Sequence, residues 1–149
     1  MRRARRPRAL VVDDSPAFLR IVRAVLEDTT PPFEVEIAGS GTEAIARLND
    51  SVFRAAPLDM LVLDLRLPDM NAPEVLRVLR ESSETRNLPV LVMSQAGWAA
   101  DRATIAAAGA TFHEKPSSIA ALERLLTSFW EIARTQLGQP SSPAATRAK

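Results

Sequence analysis

The chain has 149 residues, 46% hydrophobic and 25% charged, with a formal net charge of +1, the size and mix of one globular domain with short tails. The absence of cysteine excludes disulfides, thiolate metal sites and a cysteine nucleophile; one histidine excludes a His-rich metal site, and no apolar run approaches the roughly 18–20 residues of a membrane span. The charge is unevenly placed: residues 1–8 carry five arginines, whereas residues 9–137 hold twelve basic and eighteen acidic side chains, a net of −6, which argues against a broad nucleic-acid-binding face on the body.

Residues 1–8, MRRARRPR, read as a basic, flexible, solvated leader. Twin arginines can open an export signal, but the apolar run that follows stops at Asp13 and Asp14, so no signal peptide is expected and the protein is placed in the cytoplasm. Leu10, Val11 and Val12 form a short apolar strand. Ser15 and Pro16 supply an N-cap and a first-turn proline, and Phe18, Ile21, Val22, Val25 and Leu26 repeat on one helical face. Residues 33–38 alternate like an edge strand. Ser40 and Glu43 fit a capping box before a helix carrying Ala44, Ile45 and Leu48. Residues 58–64, LDMLVLD, read as a strand buried on both faces. A third helix over 71–80 turns Val75, Leu76 and Leu79 inward.

Residues 88–94 form another buried strand. The Ala-rich 98–108 reads as a fourth helix stopped by Gly109, followed by a short strand over 110–113. The last helix runs from Ser117 or Ser118 to about Gln136, with Leu122, Leu125, Leu126, Phe129, Ile132 and Ala133 on one side. Residues 138–149 are small, polar and Pro-containing, a disordered tail by composition, which leaves 9–137 as the domain. Five repetitions of strand then helix argue for a parallel sheet covered by helices on both faces.

In such a sheet, ligands bind beyond the carboxyl ends of the strands. Those ends carry Asp13 and Asp14, then Asp64, then Ser94, then Lys115. Converging carboxylates repel and call for a cation. With oxygen donors alone, a hard ion such as Mg²⁺ fits. Three acids, a hydroxyl and an ammonium suit a phosphoryl group, with one carboxylate as nucleophile. Seventeen of the nineteen basic residues are arginine, and the second lysine is the terminal Lys149. Lys115 is therefore the one lysine of the fold, and its position calls for a compact ammonium rather than a planar fork.

The runs VVDDSP, VLDLRLPDMNAPEVL, LPVLVMS and AGATFHEKP make residues 9–135 similar to the receiver domain of two-component response regulators, of the single-domain chemotaxis type. That resemblance implies an α/β, flavodoxin-like (βα)5 fold: a doubly wound, parallel five-stranded sheet of order 2-1-3-4-5. It implies that Asp64 is the phosphoacceptor for a histidine kinase or phosphotransfer protein. It further implies Mg²⁺, or Mn²⁺, held directly by Asp14, Asp64 and the Arg66 backbone carbonyl, with Asp13 assisting through water. Ser94 and Lys115 would hold the phosphoryl oxygens, a cis Lys115–Pro116 bond is expected, and Phe112 takes the aromatic switch position. Signalling would pass through the face of helix 4, strand 5 and helix 5 to a downstream protein. The chain departs from the commonest pattern at Phe112, which lacks the frequent tyrosine hydroxyl, and at Ala72 and Gln95. Arg66 and Ala96 occupy positions linked in the family to phosphoryl lifetime.

Too few residues follow the last helix for a DNA-binding domain, so the expectation is phosphorylation-dependent protein contact or relay of the phosphoryl group, with no enzymatic turnover. Trp98 is a candidate partner contact. Trp130 lies off the core stripe, half exposed or at a homodimer contact, and His113 reads as a strand-edge residue. Two alternatives stay open: a receiver-like scaffold that binds independently of phosphorylation, and a Mg²⁺-dependent phosphatase with an aspartyl nucleophile. Against the phosphatase, Arg66 stands where that class carries a second acid.

Overall fold

Five strand-then-helix units follow one another: β1 (Arg8–Val12), α1 (Pro16–Glu27), β2 (Glu34–Ala38), α2 (Gly41–Phe53), β3 (Met60–Asp64), α3 (Ala72–Glu81), β4 (Val90–Ser94), α4 (Arg102–Ala107), β5 (Thr111–Glu114) and α5 (Ile119–Gly138). The computed structural model describes residues 5–95 and 101–138, so Ala96, Trp98 and residues 139–149 lie outside the described residues. All strand pairings are parallel, and the order is β2-β1-β3-β4-β5, as the family resemblance implies. Val12 stands beside Leu63, Leu63 beside Val92, and Val92 beside Phe112.

The period-2 geometry of a strand divides the core in two. Leu10, Val12, Leu61, Leu63, Val90 and Val92 face the side covered by α2, α3 and α4. Ala9, Val11, Met60, Val62, Leu91 and Met93 face α1 and α5. Each fully buried side chain of this size stabilises by about 1.5–3 kcal/mol, and that is why the three central strands read as unbroken apolar runs.

Local chemistry sets the helix ends. The Ser15 hydroxyl accepts from Phe18 N at 3.2 Å, with Pro16 in the first turn of α1. The Ser40 hydroxyl accepts from Glu43 N at 3.1 Å, while the Glu43 carboxylate reaches back to Gly39 N at 2.9 Å rather than to Ser40. Gly109, at φ +77°, ends α4 in the left-handed region. Beside it, the Arg80 guanidinium from α3 donates to the carbonyls of Ala108 (2.8 Å), Leu88 (2.9 Å), Arg86 (3.0 Å) and Gly109 (3.3 Å).

Several expectations are corrected in detail. On α1 the buried face is centred on Val22 and takes in Leu19, Val25 and Leu26. Ile21 is 37% exposed, since the next residue on a helix is turned by about 100°. On α5 the inward ridge runs Leu122, Leu126, Trp130 and Ala133, so Ile132 is 62% exposed. Trp130 packs edge-on to Phe33, with ring centroids 5.0 Å apart. The cis peptide bond among the described residues is Thr30–Pro31, and Lys115–Pro116 is trans; the preference between the two forms at X–Pro is small enough for tertiary context to decide.

Residues 5–8 of the basic leader are laid onto the body. The Arg5 guanidinium donates to both oxygens of Asp59, at 2.7 and 2.9 Å. Arg8 N donates to Asp59 Oδ2 at 2.8 Å, and the Arg8 side chain pairs with Glu36. The Pro7 carbonyl accepts from Glu34 N at 2.8 Å, so β1 starts at Arg8 rather than at Leu10.

Candidate phosphoryl and metal site

The strand order reverses between β1 and β3, and a ligand crevice opens at the carboxyl ends there. β1 delivers Asp13 and Asp14 to this point, β3 delivers Asp64, and β4 delivers Ser94. A backbone bond from Lys115 N to the Ser94 carbonyl, 2.7 Å long, ties the segment after β5 to the end of β4. The structure therefore brings together Asp13, Asp14, Asp64 and Lys115, with Ser94 tied to Lys115 through its backbone carbonyl.

Asp13 is 1% exposed. Its Oδ1 accepts from Ser15 N at 2.9 Å, which fixes the carboxylate against the entry to α1. Lys115 Nζ stands 2.8 Å from Asp13 Oδ2 and 3.3 Å from Asp64 Oδ1, and its side chain is 14% exposed. The Asp13 contact is an ion pair rather than an aligned hydrogen bond: Asp13 Oδ2 is buried without a partner of hydrogen-bonding geometry. Asp14 is exposed, yet carboxylate oxygens of Asp13, Asp14 and Asp64 all lie within 4.8 Å of one another.

The electrostatics follow from this crowding. Burial, and then the charge of Asp13, push the Asp64 carboxyl from its ordinary 3.8 up to about 6, against the lowering pull of Lys115. Burial would lower the Lys115 ammonium, but the adjoining carboxylates of Asp13 and then Asp64 overcome this and raise it. One cation is thus shared among three acids, which leaves net negative charge at the mouth. A buried oxygen without an aligned partner, beside two more carboxylates, is a donor set that fits a hard divalent cation.

The remaining predicted residues stand around this centre. The Ser94 hydroxyl, in a residue 2% exposed, donates to the Gln95 carbonyl at 2.9 Å. Arg66 leaves β3 in a loop closed by its bridge to Asn71 and by a bond from Leu67 N to the Met70 carbonyl at 3.1 Å. Its guanidinium reaches Asp101 at 3.6 Å. Phe112 is partly buried against the α2–α4 core, with Arg102 4.7 Å from its ring centroid. His113 is exposed on β5.

Three participants were not legible as such. Phe18, read only as a core residue, places its ring 4.5 Å from Lys115 Nζ. Asp69 accepts from Gly41 N and Thr42 N, each at 2.8 Å, and from the Thr42 hydroxyl, pinning the loop after β3 to the start of α2. Asp101 receives Arg66. Only Phe18 had a usable signal, an aromatic one turn into the helix that follows the acid pair.

Among the described residues no helix is long and apolar enough to cross a membrane. The chain is 37% identical over 140 residues to the transcriptional regulatory protein TrcR of Mycobacterium tuberculosis, a match covering 92% of this chain and 50% of TrcR. It therefore spans about half the length of that relative. Its fold matches the chemotaxis response regulator CheY4 of Vibrio cholerae, with TM-score 0.71 and 26% identity over 84% of this chain and 99% of that one. It also matches the phosphorylated cyanobacterial phytochrome response regulator RcpA, with TM-score 0.78 and 24% identity over 89% and 96%. The response regulator receiver domain model matches residues 9–127. With that match laid over the five-stranded sheet and its acidic edge, the chain belongs to the receiver domains of two-component response regulators.

Proposed function

We propose that this receiver domain accepts a phosphoryl group on Asp64 from a histidine kinase or phosphotransfer protein and signals through contacts that depend on the phosphoryl group. The observation that carries this reading is the Lys115 ammonium set between Asp13 and Asp64, at 2.8 and 3.3 Å, with Asp14 alongside. A carboxylate raised to about 6 is largely ionised at neutral pH, so Asp64 is available as a nucleophile. An Asp64 oxygen attacks phosphorus, the P–N bond of the donor phosphohistidine breaks, and its electron pair returns to the imidazole nitrogen. The product is an acyl phosphate. Lys115, already within ion-pair distance of Asp64, turns to a phosphoryl oxygen, and Ser94 exchanges its bond to the Gln95 carbonyl for another phosphoryl oxygen.

Asp14, Asp64 and the Arg66 carbonyl would hold Mg²⁺ or Mn²⁺, with Asp13 behind them. The ion supplies charge neutralisation for the transferring oxygens. Phe112 then conveys the change to α4, through the ring that Arg102 covers, and the face of α4, β5 and α5 meets the downstream partner. The body is residues 9–137, extended by Arg8 of β1 and Gly138 of α5, between an N-terminal basic segment and a C-terminal polar one.

The test is incubation with acetyl phosphate and Mg²⁺, read by intact-protein mass. One phosphoryl adduct is expected, absent in Asp64→Asn and after chelation. An adduct that survives Asp64→Asn defeats the assignment.

A further inference from the structure

The ammonium of Lys115 has three N–H donors. Carboxylate oxygens of Asp13 and Asp64 lie 2.8 and 3.3 Å from Nζ, and the ammonium also stands over the face of Phe18, 4.5 Å from the ring centroid. That distance is within the roughly 6 Å over which a ring quadrupole attracts a cation. We propose that Phe18 is a positioning residue for Lys115: its ring holds the ammonium between Asp13 and Asp64 and shields it from water on that side. The functional consequence rests on the reading of Asp64 as phosphoacceptor; the contact itself does not.

The placement of the ring is built locally. Asp13 Oδ1 accepts from Ser15 N, and the Ser15 hydroxyl accepts from Phe18 N. Pro16 fixes the first turn between them. Six consecutive residues, Asp13 to Phe18, therefore set a carboxylate on one side of the ammonium and a π-face on another, with their separation fixed by one cap. Phe18 also packs against the α1–α5 core, which anchors the ring. Lysine is a strongly hydrated charge on a flexible stem and swings to water when its surroundings allow. An apolar side chain of similar size at position 18 would fill the space without a quadrupole. It would leave two carboxylates alone to hold an ammonium that water also solvates.

The experiment uses the full chain carrying Lys149→Arg, so that Lys115 is its only lysine, with ¹³C-lysine labelling and Phe18→Leu and Phe18→Tyr compared with the parent. Without any phosphodonor, the Lys115 ε-methylene signal should lie upfield in the parent and in Phe18→Tyr, from the ring current. In Phe18→Leu it should move toward the free-lysine position. With acetyl phosphate and Mg²⁺, Phe18→Leu should label roughly 3- to 10-fold more slowly, the size of one partly desolvated cation–π contact, and Phe18→Tyr should restore the rate. A leucine variant with parental signal and rate overturns the proposal, as does slow labelling with an unmoved signal, or a tyrosine variant as slow as leucine. A ring-dependent signal in a parent that never labels supports the contact and rejects the phosphoacceptor reading instead.

Discussion

Replacing Asp64 with asparagine should stabilise the fold at neutral pH and do little at pH 4. The folded protein holds the Asp64 proton more tightly than the unfolded chain, since burial and Asp13 raise its carboxyl from 3.8 to about 6. Between those values the native state binds more protons than the unfolded state, so the Asp64 contribution to stability falls as pH rises through the window. The displacement corresponds to about 3 kcal/mol, and solvent screening at the open mouth of the site reduces this to roughly 1–2 kcal/mol. Asparagine imitates the neutral carboxyl and does not ionise. Urea unfolding in metal-free buffer at pH 4, 5.5 and 7.5 measures the effect directly. The advantage of Asp64→Asn over the parent should grow by that amount from the lowest pH to the highest. A difference independent of pH, or one that shrinks as pH rises, would refute the account of the acidic edge as a charge-strained site.

Arg80→Ala should cost about 2–3 kcal/mol in chemical unfolding, because it strips donors from the carbonyls of Ala108, Leu88 and Arg86 together. Arg80→Lys should recover little, since one ammonium cannot span those positions; full recovery by lysine would show that charge, not the fork, is what matters. Asp69→Ala should lower the melting temperature at pH 7. Its hydrogen bonds to Thr42 and Gly41 hold the Asp69 carboxyl down at about 2, so its stabilisation is present above pH 3.8 and lost as pH falls through about 2. The gap between variant and parent should close on acidification, and a constant gap would contradict it.

How far the residues announce the structure differs by element. Leu10 to Asp14 and Leu61 to Asp64 were plain because a strand has only two faces, and a buried run ending in acid has one reading. Lys115 stood out by composition. The helices were read less well. A broad apolar arc, such as 18, 19, 21, 22, 25 and 26 on α1, does not say which edge meets the sheet, so Leu19 and not Ile21 is buried there, and Ile132 on α5 faces out. Partners far apart in sequence are illegible for a different reason. Asp69 with Gly41, Arg66 with Asp101, and Phe18 with Lys115 are separated by 28, 35 and 97 positions, and nothing local to either member signals the other. Nothing near Arg5 or Arg8 in the chain signals Asp59 or Glu36, which pair with them in the fold.

The bond from Lys115 N to the Ser94 carbonyl couples the backbone that carries the amine to the backbone that carries the hydroxyl. A substitution that shifts the last residues of β4 drags both groups at once, and a substitution after β5 does the same in reverse. Tuning this centre by protein engineering is therefore a problem with fewer independent dials than its five polar side chains suggest, and variants selected at one of these two segments will carry their compensating changes in the other.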